Sequence, residues 1–241
     1  MIEKLDEPAV SPLPHVEIKF PFAEQHVPLT KAARYRVRLQ VQHWPMSGDE
    51  GGIELVLDGF RPRLIETLER PVRLGELVPA DRELSAGEHV LVAIAVRGDG
   101  VTVKPGNGSS LEPYGAVHFW VGPRGTPSID MKAPRLVYSE PRGTYNGAHA
   151  ADDVLLDFYV LGAGLGAGKG SIAATISGRG VERRIVMKDW HARRIRGLPS
   201  GDYRIELVLR GADDKPLSGP AARAERAITV NRDAPDGGRY R

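Results

Sequence analysis

An internal duplication constrains this chain more than any other feature. Tyr35, Val37, Leu39 and Val41 alternate with polar residues, and Val154, Leu156, Phe158 and Val160 do the same 119 residues later. At that offset Ile53 meets Ile172, Leu57 meets Ile176 and Gly59 meets Gly178, so GGIELVLDG and GSIAATISG fill one slot. Further on, LSAGEHVLVAIAV (84–96) matches LPSGDYRIELVLR (198–210) at an offset of 114. A five-residue deletion in a loop of the second copy accounts for the change. Each copy is longer than a solenoid unit, so each is expected to be a whole domain.

Within each copy the apolar period is two. Val16/Ile18/Phe20, Val90/Val92/Ile94/Val96 and Ile205/Leu207/Leu209 read as half-buried strands. The 28 Gly and 19 Pro are spread along the chain as turn punctuation. Residues 63–77 could start a helix, but Pro71 would break it. The fold class expected is all-β: two tandem immunoglobulin-like antiparallel β-sandwiches related by duplication. The expected boundaries are module 1 at 15–122, a Pro/Gly linker at 123–133 and module 2 at 134–231. Polar, Pro- or Gly-rich composition predicts a poorly ordered segment at 1–14 and a flexible tail at 232–241.

The second copy resembles the immunoglobulin-like modules of bacterial cell-envelope proteins. The residues that carry the resemblance are 154–178, with its G-x-I-x-x-x-I-x-G strand, then Lys188-Asp189-Trp190-His191, and the turn Gly197-Leu198-Pro199-Ser200-Gly201-Asp202-Tyr203. The first copy keeps Gly87-Glu88-His89 and has no tryptophan at the equivalent place. The resemblance implies non-catalytic parts of secreted or envelope proteins.

Charge divides along the chain. Residues 1–130 carry 14 Lys and Arg against 18 Asp and Glu, a net of −4; residues 131–241 carry 19 against 13, a net of +6. Neither half has the dense basic stripe with interleaved aromatics that marks a nucleic-acid binder, so none is expected. The absence of cysteine excludes disulfides, zinc thiolate sites and thiol catalysis. No apolar run is long enough for a transmembrane helix. The acidic start, MIEKLDEP, lacks the basic and apolar regions of a signal peptide. The compartment expected is therefore cytoplasmic, or the cell envelope or exterior if a leader is removed ahead of Met1.

No catalytic constellation emerges, and no enzyme, cofactor or metal is expected. The loop Leu161–Ser171 mimics a phosphate-binding loop, but Ala163 and Gly170 stand where Gly and Ser or Thr are needed, and a strand pattern follows in place of a helix. No two of the seven histidines stand at i, i+2 or i, i+4, although distant ones such as His43 and His118 could still meet. Asp152-Asp153 and Asp213-Asp214 read as turn chemistry.

The candidate binding residues are aromatic and basic. His43 and Trp44 follow a strand, and Trp190 and His191 precede Arg193, Arg194 and Arg196 in the densest basic region. Exposed Trp and Arg together are what interface hot spots are made of. The expected function is a structural or assembly protein, an accessory subunit or spacer bound to another protein. The alternative is a glycan-binding module pair that stacks sugars on Trp44 and Trp190, with a polysaccharide as partner. A tryptophan packed over one end of a sandwich would explain the rings without a ligand.

Overall fold

The computed structural model describes residues 1–105 and 112–237. The chain forms two compact units. One is Ala9–Met131; the other is Lys132–Arg241 together with Met1–Pro8. Strand β1 (Ile2–Lys4) belongs to the second unit.

The first module contains β2 (His15–Phe20), β3 (His26–Val27), the short helix α1 (Leu29–Ala32), β4 (Arg38–Gln42), β5 (Gly51–Leu57), β6 (Arg63–Ile65), β7 (Gly87–Arg97) and β8 (Tyr114–Val121). The second contains β9 (Arg135–Glu140), β10 (Gly143–Asn146), α2 (Ala148–Ala151), β11 (Val154–Leu161), β12 (Ser171–Gly178), β13 (Val181–Met187), β14 (Arg193–Ile195), β15 (Gly201–Arg210) and β16 (Arg223–Asn231). One module has a five-stranded sheet in the order β3-β8-β7-β5-β6, and the other has β10-β16-β15-β12-β13. Element by element these are the same sheet, and even α1 and α2 occupy matching places. The duplication is therefore a duplication of fold. Two pairs depart from the expected antiparallel arrangement: β3 runs parallel to β8, and β10 parallel to β16.

Facing each large sheet is a smaller one, β2-β4 in the first module and β1-β14-β11-β9 in the second. Period-two alternation sends one side of each strand into the space between. Ile53, Leu55 and Leu57 of β5, Leu91 of β7 and Phe119 of β8 meet Val16 and Ile18 of β2. Ile172, Ile176, Ile205 and Leu207 meet Leu156, Phe158 and Tyr138 in the other core. Within β5 and β7 the expected wet face is absent: residues 51–57 and 89–96 are buried on both sides. Residues 63–77 form β6 and a 3₁₀ turn at Leu74–Leu77 rather than a longer helix.

Both termini contact distant parts of the chain. In segment 1–14, β1 pairs antiparallel with β14, Ile2 opposite Ile195 and Lys4 opposite Arg193. Glu7 accepts the Ala192 N–H at 2.5 Å. In the expected tail, Arg232 grips both carboxylate oxygens of Asp152 at 2.8 Å, and Gly237 bridges to Asn146. Residues 238–241 of that tail lie outside the described residues.

Candidate functional site

The basic region singled out by its density closes on itself. Arg193 is buried, donating to the His191 carbonyl at 2.6 Å and to Asp189 at 2.9 Å. Arg194 pairs with Asp153, and Arg196 reaches Glu3 of β1 at 2.9 Å. Arg183 spends its guanidinium on the carbonyls of Arg196 and Gly197. Asp152, held to about pH 2 by its hydrogen bonds with Arg232 and the Gly197 N–H, completes the same surface. The acids come from β1, from the α2–β11 turn and from beside Trp190, so sequence density alone could not reveal the neutralisation.

The aromatic candidates are packed. Trp190 is half-buried against the second core, its ring 5.4 Å from that of Tyr159. Trp44 is half-buried in the first module, with its indole N–H bonded to the Gly52 carbonyl at 3.1 Å and its ring lying on Gly51. His43 is exposed at a left-handed backbone position. His191 is half-buried. His118 does not turn toward His43: its two ring nitrogens face Glu24 at 2.6 Å and Glu88 at 3.0 Å. The glycine-rich loop at 162–170 leads into β12, and the Lys169 stem lies along Gly164.

A different feature stands open in the first module. A cavity of about 530 Å³ is lined by Phe20, Thr30, Lys31, Arg34, Tyr35, Arg36 and Arg38. Local structure explains why cations gather there. Residues 35–38 run extended, with Val37 buried in the core, its N–H bonded to Val72 and the Tyr35 carbonyl accepting from Leu74. Period two then turns Arg36 and Arg38 outward beside Arg34. Helix α1 delivers Thr30 and Lys31, and its last turn is capped onto the strand by Arg34 and Tyr35 N–H groups. At the end of β2, Phe20 lies opposite Arg38 and receives its guanidinium over the ring at 5.6 Å. Phe20 and Phe22 meet edge to face and are both exposed, as is Leu29. Arg73 sits across from Arg36.

None of Lys31, Arg34, Arg36 and Arg38 has a carboxylate within ion-pair distance among the described residues. Tyr35 is anchored by Gln25 at 2.5 Å. Four unneutralised cations and an aromatic floor make a surface complementary to a short run of carboxylates carrying an apolar or aromatic group. The signal was present in Arg34-Tyr35-Arg36-Val37-Arg38, where the polar half of the alternation is wholly arginine. By alternation alone it reads as the wet face of a strand.

The chain is thus a pair of immunoglobulin-like β-sandwich modules. Solved structures similar to it include the fibronectin(III)-like modules of Clostridium thermocellum CbhA, at 14% identity over 90% of this chain and 94% of that one, with a TM-score of 0.29. The chicken interferon gamma receptor alpha chain gives 13% identity over 92% and 100%, also at 0.29. A Bacteroides ovatus glucan-utilisation protein, SGBP-B, solved with a mixed-linkage heptasaccharide, gives 12% over 91% and 70%, at 0.25. Likeness of this size says nothing about a site or partner. No protein-family model matches the chain, and no curated protein matches it significantly. No helix among the described residues is long and apolar enough to cross a membrane.

Proposed function

We propose that this is a non-enzymatic assembly protein that docks an acidic segment of a protein partner in the Arg34–Arg36–Arg38 cavity of its first module. The observation that carries the reading is the contrast in neutralisation: Arg183, Arg193, Arg194 and Arg196 of the second module are closed by Asp, Glu and carbonyl groups, whereas among the described residues no carboxylate pairs with Lys31, Arg34, Arg36 or Arg38 at the cavity. The residues around the cavity belong to the acidic half of the chain. A long polyanion such as a nucleic acid would meet the net −4 of residues 1–130 as a whole, whereas a segment of a few carboxylates engages the cavity cations alone. Trp44 and Trp190, the rings that the glycan alternative needs as platforms, are each half-buried against a core.

The reading is tested by fluorescence anisotropy with a labelled peptide of alternating Glu and Leu. The wild-type chain is expected to bind it, more weakly as salt rises through the range where the Debye length falls below about 8 Å. The variant Arg34→Glu/Arg36→Glu/Arg38→Glu is expected to lose that binding, and Arg194→Glu to keep it. Equal binding by the triple variant, or tighter binding of an oligonucleotide than of the peptide, would overturn the proposal.

A further inference from the structure

The two modules end their large sheets differently. In the first, the outer strand β6 spans only Arg63–Ile65, with Pro62 before it. Short strands and nearby prolines blunt an edge against further pairing. In the second, the outer strand β13 is seven residues long, from Val181 to Met187, and contains no proline. It pairs with β12 along its whole length, and among the described residues no strand pairs with its other side.

The hairpin geometry fixes which groups face out. Arg179 and Gly180 both have positive φ, 50° and 74°, the two-residue turn that makes Gly178 and Val181 a hydrogen-bonded pair. Counting from there, Val181, Arg183, Ile185 and Met187 exchange bonds with β12. Glu182, Arg184 and Val186 direct their N–H and C=O groups outward. Their side chains are also the exposed ones, Val186 at 46%.

We infer that the outer edge of β13 pairs antiparallel with β13 of a second copy, about a twofold axis at Arg183. Joined sheets must keep inner faces together, so exposed residues pair with exposed ones and inner with inner. Among the registers that satisfy this, an axis at Arg184 sets Arg184 against itself, and one at Glu182 sets Glu182 against itself. The axis at Arg183 sets Glu182 opposite Arg184 twice and Val181 opposite Ile185 twice. The two Arg183 side chains then face each other on the inner side, each already tied to the carbonyls of Arg196 and Gly197. Within one copy Glu182 and Arg184 form a solvent-exposed pair, which exchanges for the cross-strand pairs at little cost. An isologous contact of this kind closes on itself and does not propagate.

Sedimentation equilibrium on the full chain tests this. The wild type is expected to dimerise reversibly. Glu182→Lys and Arg184→Glu each place like charges directly opposite, and each is expected to weaken dimerisation about tenfold. Mixed in equal amounts, the two variants regain the complementarity and are expected to form a heterodimer tighter than either homodimer. A wild type that stays monomeric up to the millimolar range overturns the inference. So do single variants that associate as the wild type does, or a mixture no tighter than its components. Both positions are solvent-exposed, so the variants retain the fold, which the far-ultraviolet spectrum checks.

Discussion

His89 in the first module and Tyr203 in the second occupy one position in the duplication, and each ties its strand to a carbonyl four residues back. The Tyr203 hydroxyl donates to Pro199 at 2.9 Å, the arrangement known in immunoglobulin-type sandwiches as a tyrosine corner. The His89 ring reaches Ser85 at 3.0 Å. A phenol finishes the work with one bond, but an imidazole has a second nitrogen, and at 4% exposure it cannot leave that nitrogen to water. Asp58 answers it at 2.6 Å and accepts the Val90 N–H with its other oxygen at 2.8 Å. The same corner is thus neutral in one copy and, whenever His89 is protonated, an ion pair in the other. A substitution inside a duplicated frame has made one module's stability depend on a charge.

The largest way to break that comparison is Asp58→Ala. It leaves a buried ring nitrogen and a strand N–H without partners, and is expected to cost the first module about 2–3 kcal/mol. Native-state hydrogen exchange should lose protection in β7 and keep it in β15. Asp58→Asn keeps an acceptor for Val90 and a residue tolerant of the left-handed backbone at φ 52°, so its milder loss isolates the charge. Unchanged protection in β7 would mean that the ion pair contributes nothing.

The pH dependence sharpens the contrast next. Burial alone would lower the His89 pKa, but the hydrogen bond and charge of Asp58 outweigh it and the net direction is up. A raised pKa stabilises fully below the unfolded imidazole range and loses its contribution as pH rises through the folded value. The first module should therefore lose exchange protection on going from mildly acid to alkaline pH, and His89→Tyr should abolish that loss. The Tyr203 phenol is pushed further up by burial, so the second module has no counterpart near neutrality. On the acid side the modules behave alike. Glu88 is held at about 2 by Ser128 and Ile129 against the opposing pull of desolvation, and Asp152 at about 2 by Arg232 and Gly197. Each contributes above the ordinary carboxylate range and fails as pH falls toward 2. Smaller again, Tyr203→Phe should cost the second module about 1 kcal/mol, the worth of its one hydroxyl bond, read as a lowered urea midpoint for β15 exchange.

The sandwiches were legible in the sequence because each strand writes its own alternation and the copies confirm each other: Val154–Leu161 against 35–41, GSIAATISG against GGIELVLDG. What was illegible depended on partners distant in the chain. Strand β1 has no alternation of its own and exists because β14, some 190 residues on, offers an edge. The neutralisation of Arg194 and Arg196 needs Asp153 and Glu3, which no local window contains. Conversely, Arg34, Arg36 and Arg38 sit on a clean strand alternation that reads as ordinary surface. Only the fold shows that among the described residues no carboxylate closes over them and that Phe20 lies beneath Arg38.

Those two sets of arginines provide the smallest effect and the one whose sign decides most. Arg194 has its partner, so Arg194→Glu sets two negative charges together at a half-exposed site and should lower stability by about 0.2–1 kcal/mol. Arg36 stands among Lys31, Arg34, Arg38 and, across the strand, Arg73, with repulsion on several sides and no compensating acid among the described residues. Arg36→Glu should therefore leave stability unchanged or raise it by up to about 0.5 kcal/mol, while weakening capture of the acidic peptide. An acidic segment bound in the cavity would relieve that repulsion. Urea titration of both variants reads the signs directly. If Arg36→Glu destabilises as Arg194→Glu does, the cavity cations are structural, and the difference between the two basic surfaces disappears.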